Sequence, residues 1–131
     1  MKEIKTRARK ENMSKNKINN KKICNNYEFR RIYSKGKSFV SPTVVLYLVK
    51  NRYGTTRYGI TASKKIGNAV KRNRSRRVIR EGLLSQLNKL RPGFDLVLVA
   101  RGKTPYVKSV DVEENLIKIF KKANLYRLDN I

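Results

Sequence analysis

Ser63-Lys-Lys-Ile-Gly-Asn-Ala-Val-Lys-Arg-Asn-Arg-Ser-Arg-Arg-Val-Ile-Arg80 decides the architecture of this chain, because here a strand gives way to a helix under the densest positive charge. Gly67 and Asn68 supply a turn and a helix cap. Beyond them Val70, Ile79, Leu83, Leu87 and Leu90 recur at roughly three- to four-residue intervals, the spacing of one helical face. Six of the ten residues from Lys71 to Arg80 are basic, and at about 100° per residue they point nearly all the way round the helix. No core covers such a surface. Neighbouring like charges repel by a few tenths of a kcal/mol, roughly, per pair, a cost that a polyanion removes. Five of the six are Arg, whose planar fork suits bidentate phosphate contacts, so the stretch reads as an RNA-docking element rather than a solvated face.

Upstream, residues 1–22 hold nine Lys or Arg, two acids and almost nothing apolar, the composition of a disordered basic arm. Met13 offers an alternative start. Asn25 and Glu28 have the spacing of a capping box, and Phe29, Ile32 and Tyr33 share one face of a short helix that Gly36 stops. Ile32 belongs in the core; whether Phe29 and Tyr33 are core or exposed is open at this level. Ser38 to Ser41 and Thr43 to Val49 read as strands, the second apolar on both faces with Tyr47 its one polar-tipped member. Arg57 to Ser63 is a third strand, with Gly59 at its centre, where another backbone or a ligand is expected to come close. This predicts a meander followed by a crossover helix.

Downstream of that helix, Asp95 to Ala100 is an apolar run of buried-strand length that belongs at the sheet centre. A last helix begins near Asp111, with Val112, Leu116, Ile119, Phe120 and Ala123 facing inward. The order is α-β-β-β-α-β-α, an α+β domain over residues 23–131.

At 131 residues and 39% hydrophobic content the chain makes one domain with a modest core. Its net charge of +24 far exceeds what solubility requires and points to nucleic acid. No apolar run of spanning length and no secretory signal is present, and Cys24 stands alone, so a reducing cytoplasmic setting without a membrane is expected. The chain has no His, which excludes Ser-His, Cys-His and His-based metal designs. Its nine acids are scattered, and adjacent Glu113 and Glu114 diverge on a helix, so neither a catalytic residue nor a metal site is expected on the protein.

Lys64-Lys-Ile-Gly-Asn-Ala-Val-Lys-Arg-Asn-Arg-Ser-Arg-Arg-Val-Ile-Arg-Glu81 closely resembles the signature of the bacterial ribonuclease P protein component. The similarity runs from about Asn26 to Tyr126 and takes in Tyr27-Glu-Phe-Arg-Arg-Ile-Tyr, Lys35-Gly-Lys-Ser and Leu96-Val-Leu-Val-Ala-Arg101. The resemblance implies a single α/β sandwich with a left-handed βαβ crossover. It implies that Lys64, Lys65, Lys71, Arg72, Asn73, Arg74, Arg76, Arg77 and Arg80 face the catalytic RNA subunit, with Arg72-Asn73-Arg74 as the family's Arg-Asn-Arg motif. It also implies that Phe29, Tyr33 and Tyr47 line a cleft for the single-stranded 5′ leader of precursor tRNA. Cleavage would then use Mg²⁺ held mainly by the RNA, with no organic cofactor and no obligate protein partner. Two other readings share the composition: a structural RNA-binding protein of the ribosome, and a protein-only nuclease, which the missing carboxylate cluster disfavours.

Overall fold

The computed structural model describes residues 21–23 and 26–127. Its elements are β1 (Lys21–Lys22), α1 (Asn26–Lys35), β2 (Lys37–Val40), β3 (Val44–Lys50), β4 (Arg57–Thr61), α2 (Ala69–Leu87), β5 (Phe94–Ala100) and α3 (Ser109–Lys122). Short 3₁₀ turns at Lys64–Ile66 and Thr104–Tyr106 precede α2 and α3. Residues 1–20 of the basic arm, and the Asn25 cap with Cys24, lie outside the described residues. The arm boundary shifts, because Lys21–Lys22 pair in parallel with β4 and Ile23 N–H donates to the Tyr58 carbonyl at 2.6 Å.

The strands lie in the order β1-β4-β5-β3-β2. A simple meander does not form: β3 and β4 follow each other in sequence, yet β5 lies between them, antiparallel to β3 and parallel to β4. The reason is burial. Leu96, Val97 and Leu98 are fully covered, and a strand that is apolar on both faces is accommodated only at the centre of a sheet with helices on either side. Seven residue pairs, Val44↔Ala100 through Lys50↔Phe94, fix its register against β3.

Alternation along the strands separates two cores. Val44, Leu46 and Leu48 of β3 and Leu96, Leu98 and Ala100 of β5 pack against Val78, Ile79, Leu83 and Leu87 of α2 and Val112, Leu116, Ile119 and Phe120 of α3. On the opposite face a smaller cluster joins Ile23, Ile32 of α1 and Val97, with Phe29, Tyr47, Val49 and Val99 only partly covered. The Thr43 to Val49 strand is therefore fully covered on one face alone: Val44, Leu46 and Leu48 are buried, whereas Val45, Tyr47 and Val49 are half-buried. One short helix covers only part of that face, so Phe29, Tyr47, Val49 and Val99 stay partly exposed where the family resemblance places the cleft.

Helix α2 keeps the expected stripe with one exception. Val70 is 75% exposed, because it precedes Ile79 by nine residues and so projects about 180° away from it. Ser75, Val78, Ile79, Gly82, Leu83, Gln86 and Leu87 form the buried face instead. At Gly82 a Cβ would come within 3.0 Å of the Glu113 backbone nitrogen, so the absent side chain lets α3 approach α2 closely. Beyond α3, Asn124 takes a left-handed conformation (φ 58°) and turns the chain back, where Tyr126 donates to Gln86 Oε1 at 2.8 Å.

Candidate nucleic-acid interface

The basic surface starts at a well-ordered helix entrance. Gly67 has φ 142°, and Asn68 Oδ1 accepts from the Lys71 N–H at 3.0 Å, capping α2 as the sequence requires. Lys64 and Lys65 are exposed on the preceding 3₁₀ turn, and Lys71 and Arg77 are exposed on α2, with Arg76 and Arg80 half-buried beside them. Arg76 Nη1 donates to Asn73 Oδ1 at 2.9 Å, a contact one helical turn apart. Arg72 and Arg74 carry an additional duty that the sequence does not reveal. Arg72 Nη1 folds back onto the Gly67 carbonyl at 2.9 Å, while Arg74 reaches across to the loop before α3, donating from Nε to Pro105 O at 2.7 Å and from Nη2 to Val107 O at 3.4 Å. Both guanidinium groups brace backbone while leaving further N–H groups for an anion.

The second surface is the cleft. The structure brings Phe29, Tyr33 and Tyr47 together: the Phe29 and Tyr33 rings stack with centroids 6.5 Å apart, and Tyr33 meets Tyr47 edge-on at 4.9 Å. Helix spacing juxtaposes the first two, whereas Tyr47 arrives from β3. Gly59 explains how the ring of Phe29 lies so low on the sheet, since a Cβ there would stand 2.6 Å from Phe29 Cε1. The group that comes close to that glycine is the chain's own Phe29 side chain, not the backbone or ligand expected there, because α1 lays its aromatic face on β4. Tyr33 and Thr61 share a hydroxyl hydrogen bond at 3.3 Å, which orients the outermost ring.

What holds α1 over the sheet is a buried ionic clamp. Asp95, at the start of β5, has a fully buried side chain and accepts from Arg57 Nε and Nη2, both at 2.8 Å, from Asn51 Nδ2 at 2.8 Å and from Arg31 Nη2 of α1 at 3.1 Å. Glu28 of α1 pairs with Arg57 at 2.8 Å. Burial alone pushes the Asp95 carboxyl up. The hydrogen bonds from Arg57 and Asn51, with the charges of Arg57 and Arg31, outweigh burial and hold it below its ordinary value. Arg57 is held more firmly protonated than usual, chiefly by its hydrogen bonds to Asp95 against the opposing effect of burial. The exposed ring of Tyr53 lies 4.3 Å from the Arg57 guanidinium carbon.

In the sequence Asp95 is one of nine scattered acids. Its signal was an acid at the head of an apolar run, which a buried sheet tolerates only with partners. Among the described residues no group of three or more His, Cys, Asp or Glu is placed to hold a metal ion. The one carboxylate pair in the cleft region, Glu28 and Asp95, is occupied by arginines.

The Ribonuclease P family model matches residues 18–124. A ribonuclease P protein component from Clostridium botulinum (strain 657 / Type Ba4) is 42% identical over 106 residues, covering 80% of this chain and 96% of that protein. Its counterpart from Clostridium novyi (strain NT) is 39% identical over 109 residues, 82% of this chain and 96% of that protein. Among solved structures, the Staphylococcus aureus RNase P protein matches with a TM-score of 0.71 at 32% identity, covering 81% of this chain and 97% of that one. The Thermotoga maritima RNase P protein matches at 0.69 and 28%, covering 78% and 96%.

Proposed function

Because this chain belongs to the ribonuclease P protein family, we propose that its two surfaces divide the work of that particle, the basic face of α2 docking on the RNA subunit and the aromatic cleft gripping the 5′ leader of precursor tRNA. The protein acts in tRNA 5′-end maturation as the non-catalytic partner of the RNA subunit in the ribonuclease P holoenzyme. The observation that carries the division is the meeting of Phe29, Tyr33 and Tyr47 on a sheet face separate from the core on which α2 packs.

Each surface suits its assignment. Lys64 and Lys65 on the 3₁₀ turn, with exposed Lys71 and Arg77 and half-buried Arg76 and Arg80 on α2, neutralise phosphates, so docking releases counterions and weakens as salt rises. The clustered rings offer π-faces to unpaired bases with little preference for sequence, which suits leaders that differ from one precursor to the next. The clamp at Asp95 holds these rings in place before the leader arrives, so their ordering entropy is already accounted for in folding.

Mg²⁺ is commonly held by one or two carboxylates together with phosphates and waters, and phosphates are what an RNA supplies. We assign the metal-assisted cleavage to ions held by the RNA, and the protein's part is to bind, orient and neutralise. No helix among the described residues is long and apolar enough to cross a membrane; the cytoplasm, where precursor tRNA would be met, is the proposed location.

The test is precursor-tRNA cleavage at limiting Mg²⁺ with the protein alone, the RNA subunit alone, and both combined. Cleavage restored only by the combination is expected, and cleavage by the protein alone would overturn the reading. Phe29→Ala and Tyr47→Ala in the reconstituted particle should weaken binding of tRNA with a leader while sparing tRNA without one. Equal losses on both substrates would remove the cleft assignment.

A further inference from the structure

Tyr106 is 68% exposed, yet the turn that carries it is tied into the fold by buried residues and hydrogen bonds. Thr104 and Pro105 beside it are buried. Thr104 Oγ1 donates to the Thr43 carbonyl at 2.6 Å and accepts from the Arg101 N–H at 2.7 Å. The Tyr106 N–H closes the turn on Lys103 O at 2.9 Å. Arg74 then ties this turn to α2 through Pro105 O at 2.7 Å, and Lys71 Nζ lies 5.5 Å from the centroid of the Tyr106 ring. A single exposed aromatic is unremarkable on most surfaces. This one sits on an immobilised turn joined to the basic helix by Arg74, a residue otherwise free to contact phosphate directly. A cation beside a solvent-facing ring is the arrangement that receives an unpaired base and its phosphate together.

We propose that Tyr106 is a stacking platform for an unpaired base of the RNA subunit, and that Arg74 is the positioning residue that sets the platform against α2. The inference rests on the reading of α2 as the RNA-docking face and adds to it a contact outside the leader cleft. It also separates Arg74 from Arg77 and Arg80, which lack this link to the turn among the described contacts.

The experiment titrates the RNA subunit with the full-length protein at several salt concentrations. Tyr106→Ala should lower affinity by about tenfold, the loss of one stacked base, with no change in the slope of log affinity against log salt, because no charge has been removed. Tyr106→Phe should bind as the wild type does. One unpaired nucleotide of the RNA should be protected from base-specific modification by the wild type and by Tyr106→Phe, and exposed with Tyr106→Ala. Arg74→Gln should weaken binding in the wild-type background and weaken it less when combined with Tyr106→Ala, the coupling expected of a residue that acts partly through another. If Tyr106→Ala binds within twofold of the wild type while Arg77→Ala and Arg80→Ala still weaken binding, the platform is overturned and the docking face stands. Loss of affinity in Tyr106→Phe equal to that in Tyr106→Ala overturns stacking as its basis. If none of these variants changes affinity, the docking reading itself fails.

Discussion

The basic face of α2 and the aromatic cleft sit on opposite sides of one sheet and are built in opposite ways. Most of the charged groups of the first come from one contiguous segment, Lys64 to Arg80, and reach solvent by helical phase alone. The second draws Phe29 and Tyr33 from α1, Tyr47 from β3 and its floor, Gly59, from β4, held in register by an ionic clamp centred on β5. A surface made of one helix survives damage elsewhere as long as the helix stays docked. A surface made of four elements depends on every contact that joins them. The difference predicts that the proposed leader grip is the more fragile of the two and the proposed RNA-docking face the more sensitive to salt.

The largest expected effect breaks the cleft. Asp95→Asn leaves Arg57 without its bidentate partner in a mostly buried site and should destabilise the fold by about 3–5 kcal/mol in denaturant titration. In the fraction that remains folded, leader binding should fall before RNA docking. Equal losses would show that the two surfaces are not separable. Acid should act on the same clamp. The folded carboxyl lies below its ordinary value of 3.8, so its contribution is complete above that pH and is lost as pH falls through the lower folded value. A thermal-melt series below pH 4 should show this loss, and it should be smaller in Asp95→Asn, where Glu113, held low by Ser85 and Gln86, still contributes.

Gly59→Ala comes next. The added Cβ displaces the Phe29 ring, at a stability cost of about 1–3 kcal/mol, toward the lower end because the ring edge can shift. Leader-dependent binding should weaken while the affinity for the RNA subunit is retained. Arg77→Ala should do the reverse, weakening RNA docking a few fold and reducing the salt slope by about 1, with the leader contribution unchanged. The smallest effect sharpens the comparison from outside both surfaces. Tyr126→Phe removes the buried hydrogen bond to Gln86 and should lower stability by about 1 kcal/mol in thermal unfolding without altering either binding.

The build of α2, which carries the basic face, is legible in the residues because its causes are local. Gly67 and Asn68 do turn and cap the chain, and the Ile79, Leu83 and Leu87 stripe does face the core. Val70 was misread by spacing although its phase, opposite to Ile79, is itself a local property. The cleft was legible only as ingredients. Phe29 and Tyr33 share a helical face, but nothing in the residues brings Tyr47 to them, and the resemblance to ribonuclease P proteins supplied that pairing. The apolar run of β5 already places it at the sheet centre; what fails is the meander, because β4 does not pair with β3 but lies parallel to β5 on its other side.

By itself the sequence determined the charge, the lack of histidine, the capped basic helix and the kinds of elements in order from α1 onward, since each depends on residues within a turn or two of one another. Tertiary structure decided the place of β5 between β3 and β4, the meeting of Tyr33 with Tyr47, the enclosure of Asp95 by arginines from two elements, and the use of Arg74 as a brace for the Tyr106 turn. Those features join residues 14 to 64 positions apart. Their partners are selected by which faces the whole fold must bury, a condition that no local window of the chain contains.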